Sequence, residues 1–267
     1  VPEWKMFGRQ VNATDFREKT GVKIDGSVTF EELSEGGEYK ETPIIQDETA
    51  KLKLKTFARQ FSITRKAIIN DDLDVFSRVP QIIAQGANQF QSTKFWNMII
   101  SNAKAPDGKA LFHADHKNLA TGAGNIGAPN QAMLSAARVA LRRQKSPAGN
   151  LLGLTPKYLL VPPELETQAQ MVVSSIIAGQ TSDVNVFAGK LIVVVSDALV
   201  DPEEWYIVAD PGVSGVDGLV YSYLTGQEGL YTETYTDQKT DNVVTKARLD
   251  FDTSIWGWQS WYKNPGA

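Results

Sequence analysis

The 267-residue chain has no cysteine, which excludes disulfide staples and thiolate catalysis together. That absence fits a reducing cytoplasm without requiring one. There are only two histidines, so any imidazole-based site has a single place to be. No apolar run is long enough to span a bilayer; the longest, Leu191–Val195, is the size of a strand. No signal-peptide pattern opens the chain. It begins at Val1 rather than Met, as expected of a trimmed end or of a piece of a longer chain. Charge of one sign is also missing: 27 basic against 31 acidic residues leave a net charge of −4. The surface as a whole is therefore no polyanion trap. No Walker loop, internal repeat or low-complexity tract is present.

What is there is an ordinary folded composition, 42% hydrophobic and 22% charged, enough for one large domain or two small ones. The pattern predicts an α+β chain. Residues 1–23 read as an extended arm with one helical turn, its Trp4, Phe7 and Phe16 too few to hold it in place alone. Residues 24–66 read as a long β-hairpin. Its strands are expected near Glu38–Ile45 and Lys51–Arg65, with Gln46-Asp47-Glu48-Thr49 as the turn. In Lys51-Leu52-Lys53-Leu54-Lys55 charged and apolar residues alternate, and the phase slips from Phe57 onward. A bulge or a change of covered face would produce that slip. The second strand would reach on the order of 40–50 Å at ~3.3 Å per residue, more than a compact domain needs.

The clearest helix is expected over residues 70–103. Asn70 suits an N-cap, and Asp71, Asp72 and Asp74 suit the first turn. Pro80 would kink it or start a second helix. A Gly- and Pro-rich loop over 104–129 follows, then a helix near Asn130–Gln144 with Met133, Ala137 and Leu141 on one face. Tyr158–Val161 reads as a strand, and Pro162-Pro163 starts a helix to about Ser174. Residues 180–228 read as a smaller α/β lobe with strands Leu191–Val195 and Trp205–Ala209. Gly229–Thr236 and Val243–Trp258 close the chain as β. Ala247, Leu249, Phe251, Thr253 and Ile255 alternate with Arg248, Asp250, Asp252 and Ser254, which predicts one buried face.

Three constellations resemble chemistry. His113, Asp115 and His116 are possible zinc or iron ligands, but the spacing supplies no fourth ligand, and a loop bonding its own backbone is the better reading. Gly122-Ala123-Gly124-Asn125-Ile126-Gly127 matches the dinucleotide fingerprint letter for letter. It lacks the buried strand before it and has Pro129 just after, so a flexible surface loop is expected. Gly212–Val216 falls short of a nucleophile elbow, and Asp201, Glu203 and Glu204 read as a solvated turn. No catalytic, cofactor or metal residue is assigned. A basic stretch remains: Lys51, Lys53, Lys55, Arg59, Arg65 and Lys66. It is either a solvated strand face that discourages stray edge pairing or a surface that pairs with acids of a neighbouring copy, Asp71, Asp72 and Asp74.

Asn70-Asp71-Asp72-Leu73, Phe95-Trp96-Asn97-Met98-Ile99-Ile100-Ser101-Asn102, the block Asp107–Leu119, and Trp205–Asp210 through Arg248–Phe251 together resemble the Mu-like bacteriophage major head subunit family. Asp107–Leu119 is the most specific part, and the similarity spans most of the chain. The resemblance implies the Hong Kong 97-type capsid fold, an α+β architecture. Residues 1–23 would be its N-terminal arm, 24–66 its extended E-loop, and 67–179 a peripheral (P) domain with the spine helix at 70–103. Residues 180–228 would be an axial (A) domain, with 229–267 returning to the P domain. It implies a structural subunit with no enzymatic activity and no cofactor, forming pentamers and hexamers in an icosahedral shell around double-stranded DNA in a host cytoplasm. A shell that must release its DNA gains nothing from binding it tightly, so a net negative chain is compatible with non-specific contact. Implied partners are a scaffold and prohead protease, which would trim the N-terminus, a portal and decoration proteins, and no membrane. Two rivals remain: an encapsulin-like nanocompartment shell protein, and a metal-dependent enzyme using the His113/His116 loop.

Overall fold

A computed structural model describes residues 2–24, 46–70, 78–122, 124–146, 149–174, 187, 189–212 and 216–266. Its centre is a four-stranded sheet buried on both faces. The strands are β5 (Pro156–Val161), β6 (Ile192–Val195), β7 (Trp205–Ala209) and β11 (Trp261–Asn264), in the order β11-β7-β5-β6. Strict period-2 alternation divides their side chains between two cores. Tyr158, Leu160, Tyr206, Val208 and Trp261 point to one. Leu159, Val161, Trp205, Ile207, Ala209 and Tyr262 point to the other. That is why Tyr158–Val161, β6 and β7 are apolar without interruption. The strands from 192–209 thus do not stand in a lobe of their own. They complete one sheet with β5 and with the C-terminal β11.

The second core lies under α3 (Gln131–Arg142) and α4 (Glu166–Val173). Asn130 caps α3 by accepting from the Met133 amide at 2.9 Å, as its residue type predicts. Leu134, Ala137 and Leu141 form the buried face.

The first core is aromatic and joins the central sheet to a five-stranded one. In that second sheet β1 (Gly8–Gln10), β8 (Leu219–Tyr223), β10 (Val243–Ile255) and β4 (Lys55–Ile63) lie in this order, and β9 (Leu230–Thr236) also pairs with β10. Helix α2 (Val79–Ile100) packs into the same core through Phe95, Trp96 and Ile99. Pro80 stands in its first turn, so of the two expectations for this proline the second helix is the one realised. Asn70 does not cap α2; it closes a short preceding helix, α1 (Arg65–Ile69), whose own N-cap is Thr64. Asp71, Asp72 and Asp74 lie outside the described residues.

The opening segment is held by its aromatics. Glu3–Met6 make the expected helical turn. Trp4 lies 4.9 Å from Tyr221 and 5.3 Å from Phe95, and Phe7 lies 5.4 Å from Tyr158 and 5.9 Å from Trp261. Behind them β1 adds in parallel to β8. Too weak to hold itself, the segment is fixed by a core it helps to build.

The hairpin departs from the sequence reading. Gln46–Thr49 is not a turn; it opens β3 (Gln46–Leu52), which pairs antiparallel with β2 (Lys19–Ile24). The connection between them, 25–45, includes the strand expected at Glu38–Ile45 and lies outside the described residues. The single strand expected over Lys51–Arg65 is two strands in two sheets. The chain changes sheet at Lys53-Leu54, with Leu52 and Leu54 both buried, and this change is the phase slip. The β2–β3 pair covers the outer face of β10. Ser254 Oγ donates to the Lys51 carbonyl at 2.7 Å, and a Cβ on Gly21 would stand 2.9 Å from the Trp256 ring. Asp250 and Asp252 are buried as well, Asp250 accepting from Thr56 of β4 at 2.6 Å and Asp252 pairing with Lys94 of α2 at 2.7 Å, so the lower half of β10 has two buried faces rather than the one expected.

Candidate functional site

The block Asp107–Leu119 is a tied loop, and its ties explain its residue types. Asn102 Oδ1 accepts from the Phe112 amide at 2.7 Å while its Nδ2 donates back to the Phe112 carbonyl. Asn118, fully buried, donates to the Leu111 carbonyl at 2.8 Å and accepts from the His113 amide. His116 is buried. Its Nε2 lies 2.8 Å from Asp107 Oδ2, its Nδ1 lies 3.1 Å from the Leu111 carbonyl, and its ring stacks on Trp258 at 4.1 Å. Partial burial raises the Asp107 pKa, but the His116 hydrogen bond and the Lys109 amide outweigh it and hold the carboxyl below its usual range. These bonds insert Leu111 and Phe112 into the aromatic core.

The same geometry bears on the metal expectation. His113 Nδ1 accepts from the Asp115 amide at 3.2 Å, Asp115 pairs with Lys109 at 2.6 Å, and His116 is engaged by Asp107. Among the described residues no group of three or more His, Asp or Glu side chains is placed to hold a metal ion. The end of the glycine-rich loop, Asn125–Gly127, is tied to the fold. Trp205 Nε1 donates to the Gly127 carbonyl at 2.8 Å, and buried Asn264 accepts from the Gly127 amide and donates to the Asn125 carbonyl. The Gly127 amide, a donor a phosphate would need, is thus already bonded to the fold. Glu204 pairs with Lys263 and accepts from Tyr206, while Asp201 accepts from the Glu203 amide. The acids of that turn are structural. Residues 213–215 of the elbow-like stretch are outside the described set.

The surface elements differ in character. β4 pairs with β10 over nine registered positions, Lys55↔Phe251 to Ile63↔Val243, yet is exposed almost throughout. Phe57, Arg59 and Phe61 share a side with Leu249 and Ala247 of β10. With Ile82 and Phe90 of α2 they line a groove of about 700 Å³. Phe61 is 48% exposed and Ile82 58%, an open apolar cleft of the kind that marks contact surfaces. The sequence carries no signal for this cleft, because an apolar residue reads the same whether it faces a core or an open groove.

The basic stretch is split by the fold. Lys51 pairs with Glu18 at 2.9 Å, and the hydrogen bond it donates to that carboxylate raises its pKa. Lys55 approaches Asp252 at 4.0 Å, and Arg65 approaches Asp241 at 3.7 Å. Lys53 and Arg59 are exposed and form no ion pair among the described residues. Asp71 and Asp72, the acids expected opposite this stretch, are outside those residues. No helix among the described residues is long and apolar enough to cross a membrane.

Comparison with known proteins completes the picture. Residues 47–264 match the family described as phage capsid protein. No curated protein matches the chain. Solved structures share the fold at low identity. The capsid of cyanophage P-SCSP1u aligns with 99% of this chain and 88% of its own, at 11% identity and TM-score 0.64. A phage-related protein from Bordetella bronchiseptica RB50 aligns over 97% and 90%, at 11% identity and TM-score 0.59. The holo-SrpI encapsulin from Synechococcus elongatus PCC 7942 aligns over 98% and 86%, at 10% identity and TM-score 0.58. The architecture is therefore the Hong Kong 97-like α+β fold common to phage capsids and encapsulins.

Proposed function

This chain belongs to the phage capsid protein family, and from that premise we propose that it is the major head subunit of a tailed, Mu-like bacteriophage. Its copies assemble as pentamers and hexamers into an icosahedral shell around double-stranded DNA, in the cytoplasm of the host. It works as a structural protein without catalysis. Its partners in assembly are a scaffold, a prohead protease, a portal and decoration proteins, and its contact with the packaged DNA is non-specific. The observation that carries this reading is the family match across 47–264. The exposed β4 and the open groove beside α2 support it, since a shell subunit meets several neighbours and needs unpartnered surface for each.

Within that reading, 1–23 serve as the arm, 24–66 as the E-loop resting on a neighbour, and 67–179 as the P domain. Residues 180–228 contribute to the A domain, and 229–267 return to the P domain. Lys53 and Arg59 meet Asp71 and Asp72 of an adjacent copy, while Lys51 and Lys55 divide their charge between that contact and Glu18 and Asp252 of their own chain. The second reading is an encapsulin-like nanocompartment, favoured by the shared fold. The contents of particles purified from the native host separate the two. Nuclease-protected double-stranded DNA is the expected content; an enclosed enzyme without DNA would establish the nanocompartment instead.

A further inference from the structure

The charges of this chain are segregated. Between Asp115 and Glu164 there is no acidic residue, while Lys117, Arg138, Arg142, Arg143, Lys145 and Lys157 are all basic. Residues 25–48 are the reverse, with Asp25, Glu31, Glu32, Glu35, Glu38, Glu41, Asp47 and Glu48 against Lys40 alone. The fold neutralises little of the basic set. Lys157 pairs with Asp210, and Arg138 lies 4.8 Å over the Phe187 ring. Lys117, Arg142, Arg143 and Lys145 are exposed and have no ion pair among the described residues. Arg142 is the last residue of α3, which turns Leu134, Ala137 and Leu141 inward; Arg143 caps the helix and Lys145 follows two residues on. Lys117 is carried to the same place by the tied loop, whose end is fixed to α3 by Gln144 donating to the His116 carbonyl at 2.8 Å.

Between α3 and that loop runs a groove of about 750 Å³, with Lys117 and Arg143 on its walls and Leu119, Ala136 and Val139 among its apolar lining. Val139 is 45% exposed. Among the described residues no carboxylate lines it. Such a groove suits an acidic segment with interspersed apolar residues: guanidinium groups hold carboxylates as bidentate pairs, and the floor takes the hydrophobic positions. Residues 25–48 have that composition, with Val28, Phe30, Leu33, Ile44 and Ile45 among the acids.

We propose that the basic face of α3, with Lys117, receives the acidic segment 25–48 of an adjacent copy. This rests on the shell reading above and specifies one of its contacts. A patch and its complement at different places on one chain make a head-to-tail interface, which closes into rings when the rotation per copy allows. The charges also set register and speed encounter, so assembly should weaken steeply with salt.

The test uses two charge-reversed full-length variants. One is Arg142→Glu with Arg143→Glu and Lys145→Glu; the other is Glu31→Lys with Glu32→Lys and Glu35→Lys. Each alone should keep the wild-type melting temperature and lose at least tenfold in assembled particles by sedimentation, and an equimolar mixture should recover them. Carbodiimide coupling of mixed light and heavy-isotope wild-type chains should join Lys117 or Lys145 of one copy to an acid of 25–48 in another. Normal assembly by either variant, or no recovery on mixing, would overturn the contact while leaving the shell reading intact. A basic-face variant that assembles normally but no longer retains duplex DNA would make this a nucleic-acid surface instead. If wild type stays monomeric and uncoupled, both readings fall.

Discussion

β4 and β10 are hydrogen-bonded partners over nine consecutive positions, yet one is almost wholly exposed and the other almost wholly buried. The backbone ladder is the same for both, so the difference lies in what covers them. β10 lies between β4 on one edge and β9 and β8 on the other, with α2 beneath and the β2–β3 pair above. Among the described residues nothing pairs with the outer edge of β4, and an open groove lies beside it. Burial energy of roughly 25 cal/mol per Å² is thus already realised at β10 and still available at β4. On the shell reading proposed above, the covered strand builds the subunit and the uncovered strand is left for its neighbours.

The sharpest way to break this contrast is Phe251→Ala in β10. Phe251 is fully buried against Trp4 and Tyr223. The loss should be about 3–5 kcal/mol of subunit stability, read as a lower denaturant midpoint. A loss under about 1 kcal/mol would mean that β10 is not the core strand described. Thr56→Val tests the ladder between the strands. The Thr56 hydroxyl donates to buried Asp250 at 2.6 Å, and its removal should cost roughly 1–3 kcal/mol, measured the same way. An unchanged midpoint would show that Asp250 is satisfied without β4.

Acid titration probes the loop that seats Leu111 and Phe112. The folded pKa of Asp107 is lowered, so its contribution is complete above the unfolded value near 3.8 and disappears as pH falls through the lower folded one. Asp107→Asn should therefore lower the melting temperature at neutral pH and converge with wild type at strongly acid pH. Parallel curves would contradict the His116 pairing. The smallest effect on the subunit belongs to Phe61→Ser, expected within about 0.5 kcal/mol of wild type. Its consequence should appear in light scattering as impaired assembly. A large loss of subunit stability with normal assembly would reverse the roles given to the two strands.

Elements with a local signature were legible in the sequence. Trp205–Ala209 is a strand with the bounds its apolar run marks, and α3 starts at the Asn130 cap. What sequence hides is which surface covers which. Lys51–Arg65 read as one strand because a change of sheet at Leu54 leaves only a slipped alternation. Asp250 and Asp252 read as solvent-facing because their partners, Thr56 and Lys94, lie far away in the chain. The exposure of Phe61 has no signature in the sequence, because hydrophobicity does not say whether the partner surface lies in the same chain or in another copy. The histidine loop fared better. Its bonds are short-range, and the expectation of a loop bonding its own backbone matches the Leu111, Phe112 and His113 contacts.

Electron microscopy of the purified full-length chain, at concentrations that favour association, most directly tests whether exposed surface here means assembly. Closed shells, or the rings and tubes from which shells are built, are expected, and they should disappear with Phe61→Ser while the subunit stays folded. A folded chain that remains monomeric at every concentration would contradict the account.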